Sequence, residues 1–272
     1  MYIIYLKFYG YKIHGWQIQA GELETFQLFL RQAFERIFKS KKIPNPCGCS
    51  RTDADVHALE YIATMRRVID IPAHALQKGL NSLLPPNMRV VKVETADEFM
   101  DGRDLVFGKH YRYLIYQAES VSPFVNSLVW QSRYPLDLEK MQKAVPYFLG
   151  THDFTAFSAA DTDVKTKVRT IYDMKIERHG KIITIDVTGD GFLKQMIRII
   201  GGTLVEVAKH KIAPEDIPLI IDSKTRSNAG STLPGKGLFL YKLFRSVDDL
   251  KSYKIPGFSP AEMFWDVLSE FE

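Results

Sequence analysis

The strongest constraint on this chain is the way its apolar residues change period along the sequence. YIIYLKFYG at residues 2–10 is rich in β-branched and aromatic residues and reads as a strand. Between residues 22 and 40, Leu23, Phe26, Leu30, Ala33, Phe34 and Ile37 recur at helical spacing, and Pro44 and Pro46 close the connection. A strand over 57–67 follows, then a helix opened by Pro72 and stopped by Pro85 and Pro86, then a strand at 87–96. Polarity rises from Asp101 to Asp104 and places a unit boundary there. A second series follows: a long strand from 107, a helix over 137–150, two strands around a His179-Gly180-Lys181 turn, a helix over 191–210, a shorter one over 214–223 and a strand at 237–245. The expected units are 1–102 and 103–245, with an appended tail at 246–272 carrying a short helix near Met263 to Leu268. Hairpins make the sheet at least partly antiparallel, so the pattern predicts an α+β fold with helices packed on one sheet face. The other face is then free, and open sheet faces serve as RNA platforms.

Of the 272 residues 46% are hydrophobic, which supports a sizeable core and excludes wholesale disorder. The net charge of +4 suits a polyanionic partner without requiring one. Cys47 and Cys49 are too close for an easy mutual disulfide and make no secreted framework. The first residues lack a signal-peptide pattern, and no apolar run reaches the length of a membrane span. These features predict a soluble cytoplasmic protein.

The loop CGCSRTDADVHA, residues 47–58, cannot be explained by burial, because it holds an arginine, two aspartates and a histidine. A carboxylate can act as a nucleophile if it stays ionised and is held still, and Arg51 could supply the fixed positive charge beside Asp53. Spacing alone favours an ordinary turn. Tyr111 shares a strand face with residues 113 and 115, where a packed core aromatic is the simpler reading. On the helix expected from Gly191, Lys194 and Arg198 stand four apart on a narrow polar stripe, either in solvent or aimed into a cleft. Cys47, Cys49 and His57 fall short of the four ligands of a structural zinc site, so no metal is expected. GDGFLK at 189–194 has Lys194 where a dinucleotide turn needs its third glycine, so no nucleotide cofactor is expected.

Six stretches taken together resemble the TruA family of tRNA pseudouridine synthases, in the family's order. They are FYGYKIHGWQIQ at 8–19, GCSRTDADVHA at 48–58, KHYRYLIY at 109–116, GTHDFTAFS at 150–158, GDGFLKQMIRIIGGTLVEV at 189–207 and RSNAGSTLPGKGLFL at 226–240. The family's signature loop is G-R-T-D-A-G-V-H-A, so serine at position 50 and aspartate at position 55 replace its usual glycines.

The resemblance implies two ferredoxin-like (RRM-like) units sharing a continuous, mostly antiparallel sheet, with the active-site cleft between them. It implies that Asp53 is the nucleophile that isomerises uridine to pseudouridine, with Arg51 beside it. Tyr111 would stack on the target base, Arg198 would pair with Asp53 and enter the RNA stack, and Leu238 would line the pocket. It implies tRNA as partner, a homodimer, no cofactor, and targets in the anticodon stem-loop, around positions 38 to 40, taken out of the helix for reaction. The replacement of glycine by Asp55 keeps two other readings open: a diverged paralogue acting on another RNA, and a non-catalytic RNA-binding protein of the same fold.

Overall fold

The computed structural model describes residues 1–21, 23–162 and 164–259. In the first half, β1 (Tyr2–Phe8), α1 (Phe26–Ile37), β2 (Cys47–Gly48), β3 (His57–Met65), α2 (Ala73–Leu83) and β4 (Met88–Thr95) follow in order. β1 lies between β4 and β3 and is antiparallel to both, while the two-residue β2 pairs with the far end of β3. In the second half come β5 (Gly108–Gln117), β6 (Trp130–Ser132), α3 (Leu138–Ala144), β7 (Gly150–Asp153), β8 (Val168–His179), β9 (Ile182–Gly189), α4 (Met196–Ala208), α5 (Ile217–Ser223) and β10 (Leu238–Phe244). The full sheet runs β4-β1-β3-β10-β5-β9-β8-β7. The halves meet where β10 pairs in parallel with β3, at Phe239 opposite His57 and Leu240 opposite Ala58. The last strand of the second half is thus the hinge line of the sheet, beside the first residues after the charged loop.

The helices form where the spacing puts apolar residues on one face. α1 buries Phe26, Leu30, Ala33 and Phe34, and Thr25 caps it by accepting the Leu28 N–H at 3.3 Å. α3 stops at Ala144 because Pro146 follows, and a short 3₁₀ turn carries the chain to Phe148. α4 is buried on almost every side, as its sequence suggests. It begins at Met196, however, and not near Gly191. Gln195 sits in the left-handed region with φ of 63°, and Met196 N–H closes a turn onto Leu193 O at 3.0 Å. Lys194 is therefore outside the helix, where it pairs with Asp161, and it shares no helical stripe with Arg198. β7, which sequence patterning passed over, is a four-residue edge strand held by β8.

The sheet face away from the helices is only partly free. Residues 246–259 pack on it. Ser246 caps a further helix, α6 (Val247–Ser252), and the chain then crosses the sheet, so that Phe258 joins Leu114, Val129 and Phe239 in a second small apolar cluster. Beneath this strap lies a buried polar cluster. Asp186 accepts from Arg112 Nε and from His110 Nε2, both at 2.6 Å. Arg112 also donates to Pro256 O at 3.2 Å, and His110 Nδ1 meets the Tyr253 hydroxyl at 3.1 Å. The helix expected near Met263 to Leu268 lies outside the described residues.

A buried charge deprived of its partner is costly, because the remaining ion has neither water nor a counter-charge. Asp186→Ala is expected to lower the unfolding free energy by about 3 to 5 kcal/mol in urea titrations. A loss below about 1 kcal/mol would contradict this reading of the cluster.

Candidate active site

The charged loop owes its shape to close contacts on both sides. Gly15 adopts φ of +81°, and a Cβ there would lie 2.2 Å from the Thr52 carbonyl oxygen. Trp16 N–H donates to that same carbonyl at 3.2 Å, and Asp55 N–H donates to Ile13 O at 3.1 Å. From the second half, a Cβ at Gly235 would lie 2.1 Å from Ala54 O. Residues 52–55 are thus gripped between the 10–16 segment and the 233–237 turn, with no room for larger residues at these points.

This grip presents Asp53 to Arg198, 145 residues away. Arg198 Nη1 donates to Asp53 Oδ2 at 2.7 Å, and both side chains remain partly exposed. Arg198 Nε is fixed by Leu233 O at 2.6 Å, so the guanidinium is held on two sides. Asp53 Oδ1 has no hydrogen-bond partner among the described residues. The carboxylate is therefore anchored through one oxygen and free to act through the other. Arg51 lies exposed, and its side chain takes no part in this pair. The guanidinium beside Asp53 is that of Arg198 on α4, not that of its neighbour in sequence.

Tyr111 lies on the same side of the site. Its hydroxyl is 3.3 Å from Ser50 Oγ, and Phe192 meets its ring edge-on at 5.4 Å. Burial pushes the Tyr111 phenol well above the usual tyrosine range; the Ser50 hydroxyl opposes this, and the nearby Cys49 and Asp53 charges add to it. At neutral pH Tyr111 is a proton donor. Tyr113, two residues on and facing the same way, donates to Pro234 O at 2.7 Å. Leu238 pairs across from Tyr113 and is buried with it. The structure thus brings Asp53, Arg198 and Tyr111 to one place, with Leu238 on the neighbouring strand opposite Tyr113.

Asp55 points elsewhere. Its φ is 65°, the left-handed conformation that a glycine would take there, and its Oδ1 accepts the Lys12 N–H at 2.7 Å. The second carboxylate is engaged away from Asp53.

Several contributors escaped the sequence. Ser50, Leu233 and Pro234 act through contacts made only after folding. Lys109 lies on the same face of β5 as Tyr111; burial lowers its ammonium, the Cys49 thiol opposing this and the Arg169 and Arg103 cations adding to it. It has no ion pair among the described residues. His57 is neutral: burial lowers its imidazole to about 4 against the opposing carbonyls of Lys236 and Ser127. Its two nitrogens are occupied, by Gly10 N–H at 2.9 Å and by Lys236 O at 3.0 Å, so it is not available as a metal ligand. Among the described residues no group of three or more His, Cys, Asp or Glu side chains could hold a metal ion. A groove of about 720 Å³ lies on the opposite sheet face, lined by Tyr9, His57, Phe239 and Tyr241.

Comparison with known proteins places the chain among relatives of one family. A family model described as tRNA pseudouridine synthase matches residues 144–244. The tRNA pseudouridine synthase A of Acetivibrio thermocellus is 39% identical over 239 residues, covering 88% of this chain and 97% of its own. Those of Thermoanaerobacter pseudethanolicus and Bacillus subtilis are 37% and 35% identical, covering 89% and 86% of this chain and 98% and 95% of theirs. The chain belongs to the TruA family of tRNA pseudouridine synthases. A solved Cbf5-Nop10-Gar1 complex aligns with 79% of this chain and 44% of its own at 12% identity and a TM-score of 0.35, too slight a likeness to carry an argument.

The lowered His57 imidazole makes folding pH-dependent in a defined direction. Between its folded value of about 4 and the ordinary 6.5, the unfolded chain binds the extra proton. Stability is therefore expected to fall as pH drops from 6.5 to 4, by on the order of 3 kcal/mol from this group. Urea titrations across that window in the parent and in His57→Gln check it: the variant should lose that part of the slope.

Proposed function

We propose that this TruA family member is a tRNA pseudouridine synthase in which Asp53 is the nucleophile. The single observation that carries the reading is the Asp53–Arg198 pair, which anchors one carboxylate oxygen at 2.7 Å and leaves the other unbonded among the described residues. The adjacent guanidinium holds the carboxylate in place, as nucleophilic work requires. Uridine isomerisation breaks the N1–C1′ bond, turns the base and joins C5 to C1′. The C5 proton leaves and N1 gains one, so atoms and electrons balance without a redox partner or a transferred group. Attack at C6, attack at C1′ and a glycal route all use the same free Oδ1. Tyr111, protonated and beside the carboxylate, is placed to stack on the base and to pass the C5 proton. Arg51, exposed at the mouth of the loop, is suited to a backbone phosphate. Leu238 closes the pocket floor. An enzyme acting on a base must take it out of the helix, and Arg198 can stack in its place.

The fold reading goes with this function. Within residues 1–102 the strand order β4-β1-β3-β2 is that of a ferredoxin-like unit, and within 103–245 the order β10-β5-β9-β8 repeats it. The cleft then lies between two such units, with Asp53 from the first and Tyr111, Arg198 and Leu238 from the second. From the family likeness we further propose a cytoplasmic homodimer acting on the anticodon stem-loop of tRNA, around positions 38 to 40, with the base flipped out. No helix among the described residues is long and apolar enough to cross a membrane. A non-catalytic RNA-binding role loses its support from Asp55, whose carboxylate is engaged by Lys12.

The test is direct. Purified protein is incubated with unmodified tRNA, without added cofactor or metal, and pseudouridine is mapped by chemical adduct and primer-extension stops. Product in the anticodon stem-loop is expected. Asp53→Asn should lower the single-turnover rate by at least about a thousandfold, and Tyr111→Phe by about tenfold to a hundredfold. An active Asp53→Asn would overturn the assignment of the nucleophile, and product elsewhere the assignment of the substrate position. Light scattering of the eluted protein at the mass of a single chain would contradict the homodimer.

A further inference from the structure

Two parts of the site come from opposite halves of the chain and need a common reference. One is the 50–55 loop that carries Asp53. The other is the 233–237 turn, whose Leu233 carbonyl holds Arg198 and whose Pro234 carbonyl holds Tyr113. His57 touches both. It is the first residue of β3, four residues after Asp53, at the parallel seam with β10. Its ring is fully buried and stacked between Tyr9 at 5.0 Å and Phe239 at 4.6 Å. Nδ1 accepts the Gly10 N–H at 2.9 Å. Nε2 faces two carbonyls, Lys236 O at 3.0 Å and Ser127 O at 3.2 Å, which can only accept, so the ring proton is on Nε2.

Two of these contacts, with Gly10 and with Lys236, reach pieces that grip the charged loop. Gly10 lies so close behind Val56 that a Cβ there would be 2.0 Å from the Val56 carbonyl oxygen. Lys236 adjoins Gly235, which presses on Ala54. We propose that His57 is a positioning residue for uridine isomerisation: its ring locks the 233–237 turn, and through Leu233 the Arg198 guanidinium, in register with Asp53. The proposal rests on the function assigned above. His57 acts from the opposite sheet face and does not reach the reacting atoms, so it is not a catalytic residue. A displacement of about 1 Å at a reacting group is enough to cost on the order of a hundredfold in rate, which gives such a lock its value.

The two links can be separated by side-chain length. In His57→Asn the amide sits where Nδ1 was: it can still accept from Gly10 but falls short of Lys236. In His57→Gln the amide reaches the Nε2 position and can donate to Lys236. Both variants lose the stacked ring, so a purely packing role would affect them alike. Steady-state and single-turnover rates on unmodified tRNA, at a temperature where circular dichroism shows both variants folded, distinguish the cases. His57→Gln should keep kcat within about threefold, and His57→Asn should lose at least about tenfold, with KM within about twofold in each. Equal rates in the two variants, or a rise in KM with kcat retained, would overturn the proposal. Should either variant fail to fold, Tyr113→Phe probes the same turn from its other anchor. It should lower kcat by about threefold to tenfold without raising KM, and a parent-like kcat would equally overturn the proposal. Asp53→Asn in the same assay separates the two levels. If it stays active, the functional reading fails. If it is inert while His57→Asn matches His57→Gln, only the positioning role fails.

Discussion

The ion pair between Asp53 and Arg198 is the contact on which the rest of the site depends. Its members come from a loop in the first half and a helix in the second, so the pair forms only where the two halves meet. α4 gives Arg198 a rigid base, because nearly every other residue of that helix is buried. The loop gives Asp53 a rigid base, because glycines on both sides let backbone press directly against it. The guanidinium is fixed in turn by Leu233 O, in the segment that leads into β10. Since β10 is also the strand that joins the two half-sheets, the seam of the fold and the geometry of the charge pair are set by the same stretch of chain.

The two faces of the sheet divide the work. Tyr111, Tyr113, Leu238 and Leu240 point toward the helices and join the main core. Arg112, His110 and Asp186 point the other way and are sealed under the strap that follows β10. Alternation along β5 thus sends successive residues to opposite faces, the candidate site on one side and anchorage of the C-terminal strap on the other. The seam residue His57 belongs to the anchoring face yet reaches the turn that serves the site.

Much of this was legible in the sequence, for physical reasons. α1 and α2 announce themselves because a helix on a sheet must bury one stripe, and β8 because its buried residues recur at near-alternate positions. Asp53, Tyr111, Arg198 and Leu238 were named from the motifs, and the first three fall together. What failed depends on contacts between distant residues. The two-residue β2 and three-residue β6 have no period to detect and exist only because β3 and β5 offer them an edge. The start of α4 was placed too early because the left-handed turn at Gln195 leaves no mark on hydrophobic spacing. Arg51 looked like the partner of Asp53 because it is two residues away, whereas the folded turn gives that place to Arg198. The segment after β10 reads as an appended tail because its apolar residues, Val247, Leu250, Tyr253, Ile255 and Phe258, follow no strand or helix period throughout.

A double-mutant cycle on folding stability tests the central claim most directly. Unfolding free energies of the parent, Asp53→Asn, Arg198→Met and the double variant give the coupling between the two side chains. A held charge pair joining the two halves should show about 1 to 3 kcal/mol of coupling. Single-variant losses that add to within about 0.3 kcal/mol would mean that the two groups do not interact, and the account built on them would fall.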